Sequence, residues 1–155
     1  WSYHKLGELL SQLDRWKEAV EAYQNAININ PNYYGSYKGL WEALMRVKNW
    51  DEAATGYSKY LKINPKSYWS YYQLGYALKQ IGLIDEAIAN YKKALELKPV
   101  LPWFHTDLGD ALLAKGESKE AIACYLKAIE LEPDFYPACD RLKSINSFKL
   151  INRNS

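Results

Sequence analysis

Asp107 and Asp110 stand three residues apart, a spacing that places two carboxylates on one face of a helix. Such a pair can divide general acid and general base work when its surroundings separate the two titrations. The chain's two histidines are His4 and His105, and its two cysteines Cys124 and Cys139. Neither pair has the spacing of a metal site. There is no G-x-S-x-G elbow, no H-E-x-x-H helix and no glycine-rich phosphate loop. Asp107 and Asp110 are therefore expected on a solvated helix face, His105 at a packing position, and the thiols buried and free. No catalytic residue, metal or cofactor is expected.

The elements that position these groups come from a repeat. Gly7, Gly75 and Gly109 fall at steps of 34 residues or multiples of it, as do Ala19, Ala53, Ala87 and Ala121, then Tyr23, Tyr57, Tyr91 and Tyr125, then Pro31, Pro65, Pro99 and Pro133. Within each unit the apolar positions recur every three or four residues, as on one helical face: Tyr71, Leu74 and Leu78, then, after a turn at Gly82, Ala87, Tyr91 and Ala94. Glu18, Glu52, Glu86 and Glu120 fall in the first turn of each second helix, where a negative charge meets the positive end of the helix dipole. The residue before each proline is pushed out of the helical region, so the second helix stops there. A helix–turn–helix of this size cannot bury its own apolar face, and a linear stack is required.

Composition narrows the function. Of 155 residues, 48% are hydrophobic and 25% charged, as in a globular protein. A net charge of +2 without long like-charged runs argues against nucleic acid and against an anionic membrane surface. No apolar run approaches the roughly 18 residues of a membrane span. Two cysteines and no visible leader point to a reducing, cytoplasmic setting. Fourteen Tyr and six Trp exceed what helix packing needs, so part of the aromatic surface is expected to serve recognition.

The pattern resembles the tetratricopeptide repeat: an aromatic and Leu-Gly on the first helix, then Ala, an aromatic and a closing Pro on the second. Four units cover residues 1–33, 34–67, 68–101 and 102–135, followed by a capping helix over 136–147 and a frayed tail over 148–155. The resemblance implies an all-α, right-handed α-solenoid with a C-terminal capping helix. Unit two departs from the pattern. Trp41 replaces the glycine and Tyr60 the alanine of Ala26, Ala94 and Ala128, so its helices are expected to stand further apart with both rings filling the gap, the alternative being that Trp41 rotates outward.

In this family the ligand lies along the first helices. Carried residue by residue, the groove would be lined by Trp1, Lys5, Gly35, Lys38, Gly39, Arg46, Trp69, Tyr72, Gln73, Tyr76, Trp103 and Asp107, with His4, Glu8, Glu42, Lys79 and Asp110 beside them. Trp1, Trp69 and Trp103 share one repeat position and should form a ladder. Gly35 and Gly39 should leave a hollow, with Tyr72 and Tyr76 on the wall opposite. Lysines and Arg46 in the first three units set against Asp107 and Asp110 in the fourth suggest a charge gradient. The clamp of the chaperone-tail binders is absent, since His4, Glu8, Trp69 and Gln73 occupy its places. The asparagine ladder of the sugar-transferase superhelix is absent too, replaced by Lys5, Gly39, Gln73 and Asp107. The resemblance implies a non-catalytic module for a protein or extended peptide. Trp1-Ser2-Tyr3 and Trp69-Ser70-Tyr71 resemble bacterial repeat regions fused to glycosyltransferases, sulfotransferases or methyltransferases, giving a second reading as the recruiting arm of a larger enzyme. A third is a homo-oligomer in which the groove takes the tail segment Phe148–Ile151 of another copy.

Overall fold

The computed structural model describes residues 2–153, with side chains described through residue 146. Among these residues are nine helices and no strand: α1 (Ser2–Gln12), α2 (Trp16–Ile29), α3 (Tyr34–Arg46), α4 (Trp50–Ile63), α5 (Tyr68–Gln80), α6 (Ile84–Leu97), α7 (Pro102–Lys115), α8 (Ser118–Leu131) and α9 (Tyr136–Arg153). The chain divides after Pro65 into two compact units. Unit 1 holds α1 to α4 and unit 2 holds α5 to α9.

Each first helix ends by the same device. One or two residues past the helix end the backbone turns left-handed: Asp14 (φ 54°), Lys48 (φ 61°), Gly82 (φ 86°) and Gly116 (φ 93°). The next amide then reaches back to an orphan carbonyl, Arg15 to Leu10 at 2.9 Å, Asn49 to Leu44 at 2.9 Å, Leu83 to Leu78 at 3.0 Å and Glu117 to Leu112 at 2.9 Å. These are Schellman caps. Glycine takes the left-handed geometry without a Cβ penalty, so Asp14 and Lys48 carry a strain that Gly82 and Gly116 avoid.

The paired helices of repeats one, three and four are held by a ring against a glycine. A Cβ built on Gly7 would lie 2.7 Å from the Tyr23 ring, one on Gly75 2.9 Å from Tyr91, and one on Gly109 2.6 Å from Tyr125. Ala19, Ala87 and Ala121 are fully buried beside these contacts. In repeat two Trp41 is itself buried, with its ring centroid 5.3 Å from Tyr57 and 5.5 Å from Tyr60. The α3 and α4 backbones accordingly stay close over less of their length than do α1 and α2, α5 and α6, or α7 and α8. Tyr60 is stacked on Tyr34 at 4.4 Å.

The helix at the C-terminal end is longer than the 136–147 cap read from the sequence. Helix α9 continues to Arg153, so residues 148–153 are helical. Ala138, Leu142 and Ile145 anchor α9 on the core of unit 2. Residues 143–153 contain neither Gly nor Pro, so nothing in them breaks the helix. The side chains of Phe148–Ile151 lie outside the described residues, as does Trp1.

Candidate functional site

In unit 1, α1 and α3 lie side by side, and in unit 2 so do α5, α7 and α9. The first helices thus make one face in each unit. On the α1 and α3 face, Lys5 is exposed and paired with Glu8 at 2.6 Å, and Lys38 and Glu42 are exposed. The guanidinium of Arg46 lies 5.1 Å from the centre of the Trp16 ring.

The hollow expected over Gly35 and Gly39 is occupied by the unit's own rings. A Cβ on Gly35 would sit 2.8 Å from Tyr33 and one on Gly39 2.4 Å from Tyr23. These glycines let tyrosines pack against the backbone of α3. His4 is corrected likewise: it is buried, edge-on to Tyr33 at 4.9 Å, with Nδ1 3.3 Å from Ser36 Oγ and Nε2 3.2 Å from Glu8 Oε1. Hydroxyl, imidazole and carboxylate in line form the outline of a nucleophile with its base. Ser36, however, is only 1% exposed. No substrate can reach it, and the three groups tie α1 to α3.

On the unit 2 face, Trp69 and Trp103 meet edge to face with centroids 5.6 Å apart, forming one step of the expected ladder. Trp69 is 38% exposed and Trp103 half-buried. Tyr72, which the repeat pattern does not demand, is a core residue: it is 8% exposed and stacked on fully buried Phe104 at 4.3 Å. Phe104 holds the position of Ser2, Ser36 and Ser70, and this large-for-small exchange is the sequence signal that a ring would seat against it. Gln73, Tyr76 and Lys79 are half-buried on the same helix.

Asp107 and Asp110 are half-buried and hydrogen-bonded, which overturns the solvated-face expectation. The Tyr72 hydroxyl donates to Asp107. Burial raises the Asp107 carboxyl above its ordinary range, while the Tyr72 hydrogen bond and the nearby Lys79 charge act in the opposite sense. Asp110 accepts from the Tyr125 hydroxyl at 2.7 Å and from Arg141 Nε and Nη2 at 3.1 and 3.2 Å. That two-point pairing holds the Arg141 guanidinium above its usual range and neutralises the end of the face expected to be negative. Burial pushes up the Tyr72 and Tyr91 hydroxyls, which stay protonated. Arg141, on the cap, was missed because the repeat pattern assigns no groove role to a capping helix.

His105 Nε2 lies 2.8 Å from the carbonyl of Pro99, a structural contact. Cys124 and Cys139 are free, half-buried thiols. Among the described residues, no group of three or more His, Cys, Asp or Glu is placed to hold a metal, and no helix is long and apolar enough to cross a membrane.

Helix pairs whose first helices lie side by side and bear half-exposed rings define a helical-repeat protein. The chain belongs to the tetratricopeptide repeat family. Tetratricopeptide repeat models match residues 1–33, 57–89 and 102–135, and a TPR repeat model matches residues 78–116. Among solved structures, MamA 41-end from Desulfovibrio magneticus RS-1 is 23% identical with a TM-score of 0.82, over 86% of this chain and 75% of that one. A crystal structure of MamA is 26% identical with a TM-score of 0.80, over 85% and 77%. A second, of MamA protein, is 26% identical with a TM-score of 0.81, over 88% and 74%. The fold class is the all-α solenoid of helix-turn-helix repeats. No curated protein matches the chain in sequence.

Proposed function

We propose that the chain is a non-catalytic scaffold that binds a protein partner through an extended peptide anchored on the first-helix face of unit 2. The observation that carries this is the Trp69–Trp103 pair, open to solvent on one side and backed by the rigid Tyr72–Phe104 stack. Rings held in this way offer large contact area at small entropic cost, as binding hot spots do. Beside them the Asp110–Arg141 pair and the Asp107 carboxylate offer hydrogen bonds to a passing main chain. A cytoplasmic setting accompanies this reading. The test is a library of extended peptides with affinities read by fluorescence anisotropy. Trp69→Ala and Trp103→Ala are each expected to weaken the best peptides by tenfold or more, and affinities unchanged from wild type in both variants would refute the assignment.

A further inference from the structure

We infer that unit 1 carries a second docking groove, built by α2, α3 and α4, for an amphipathic helix of a partner protein. It follows from the spread of repeat two. Trp41 stands between α3 and α4, and its indole lies so close to α4 that a Cβ on Gly56 would come within 2.0 Å of Trp41 Nε1. With α4 held off α3, a cavity of about 1270 Å³ opens, lined entirely by residues 20–64.

Its floor is Tyr37, Leu40, Trp41 and Leu44 of α3. Val20 and Ile27 of α2 face Tyr60 and Ile63 of α4 across it. Ile63 is 84% exposed, and Tyr34 at the rim 41%. The space exceeds the roughly 300–1,000 Å³ of small-molecule pockets. From Glu52 to Asn64 it follows α4 for about 18 Å at ~1.5 Å per residue. That length takes three helical turns with apolar side chains at i, i+4 and i+7.

Charge gives the occupant its direction. Glu52 in the first turn of α4 and Glu21 on α2 mark one end; Lys59 with the amides of Asn25 and Asn64 marks the other. All five are exposed. A partner helix therefore lies parallel to α2 and α4, its positive N-terminal end and basic side chains towards Glu21 and Glu52. Its C-terminal end and acidic side chains lie towards Lys59.

The test is selection from a display library of helix-forming peptides about four turns long, with affinities measured on wild type and variants. Selected sequences are expected to carry the i, i+4, i+7 apolar edge with basic residues in the N-terminal half. Thr55→Trp, which plugs the groove from an exposed position, is expected to weaken them at least tenfold. Lys59→Glu should do the same, with recovery when acidic residues in the peptide's C-terminal half are changed to lysine. Trp69→Ala should leave these affinities unchanged, separating this groove from the first-helix face. Circular dichroism checks that the variants stay folded, and should Thr55→Trp unfold, the Lys59 charge reversal decides. Failure to select any helix, or binding that survives Lys59→Glu, overturns the proposal. So does binding of the apolar dye anilinonaphthalene sulfonate that Thr55→Trp blocks while no helix is selected, since that marks a small-molecule pocket.

Discussion

In repeat three, Gly75 on α5 leaves the room that the Tyr91 ring of α6 takes, and Ala94 keeps the two helices close. In repeat two the large residue comes from the first helix instead. Trp41 reaches across to α4, where Gly56 stands at the position of Asn90 and Tyr60 at that of Ala94. Both interiors are filled, but only the first arrangement lets the backbones lie close along their length. The choice of which helix supplies the bulk decides whether a repeat is closed or opens a groove. Gly56 is the counterpart that Trp41 requires, although it matches no feature of the repeat pattern.

Trp41→Gly restores the glycine of repeat three without restoring its neighbours, and is expected to cost about 4 kcal/mol in cavity and lost burial. Urea unfolding would read this as a lower midpoint, with hydrogen exchange accelerated in α3 and α4. Gly56→Ala tests the counterpart. Its Cβ must displace the indole, an overpacking cost of about 1 to 3 kcal/mol, offset by up to ~1 kcal/mol of better helix propensity. With the full offset the net loss is up to about 2 kcal/mol, read in the same unfolding curves.

The turns offer a reciprocal exchange. Lys48→Gly relieves a left-handed lysine in repeat two and is expected to stabilise unit 1 by about 1 kcal/mol, and Gly82→Lys to destabilise unit 2 by a similar amount. Thermal melts of the two variants should move in opposite directions.

Asp107 adds a pH signature that belongs to unit 2. Its carboxyl binds a proton more tightly when folded, because burial raises it above 3.8. Its contribution to stability is therefore present at low pH and is lost as pH rises through the elevated folded value. Asp107→Asn should lack that loss, so the stability of wild type minus variant should decline as pH increases from about 4. Urea titrations at a series of pH values check the sign. The smallest effect is expected at the exposed Lys93–Glu96 pair of α6. Lys93→Ala should leave the thermal melt almost unchanged.

The repeat itself was legible because periodic small and aromatic residues dictate where helices can touch. Helices α3, α5, α7 and α9 begin at Tyr34, Tyr68, Pro102 and Tyr136, in step with the period. The site was legible only in part. Trp69 and Trp103 meet as their shared position suggested. Tyr72 and His4 were read as groove residues and are buried, because spacing along one helix does not tell which side a neighbouring first helix will cover. The hollow over Gly35 and Gly39 was misread since the rings that fill it, Tyr33 and Tyr23, come from the preceding loop and helix. The pairing of Asp110 with Arg141, 31 residues away, has no counterpart in the repeat.

By itself the sequence determined the helix pairs, their turns, the family and the anomaly at Trp41, all consequences of local propensity and of side-chain size at fixed spacing. Tertiary structure alone decided where the anomaly led. The direction of the Trp41 ring, the seating of Tyr72 on Phe104 and the neutralisation of Asp110 depend on residues brought together from different helices. Packing, which selects one rotamer and one neighbour from several that the sequence permits, closed the expected hollow on α3 and opened a groove between α2 and α4.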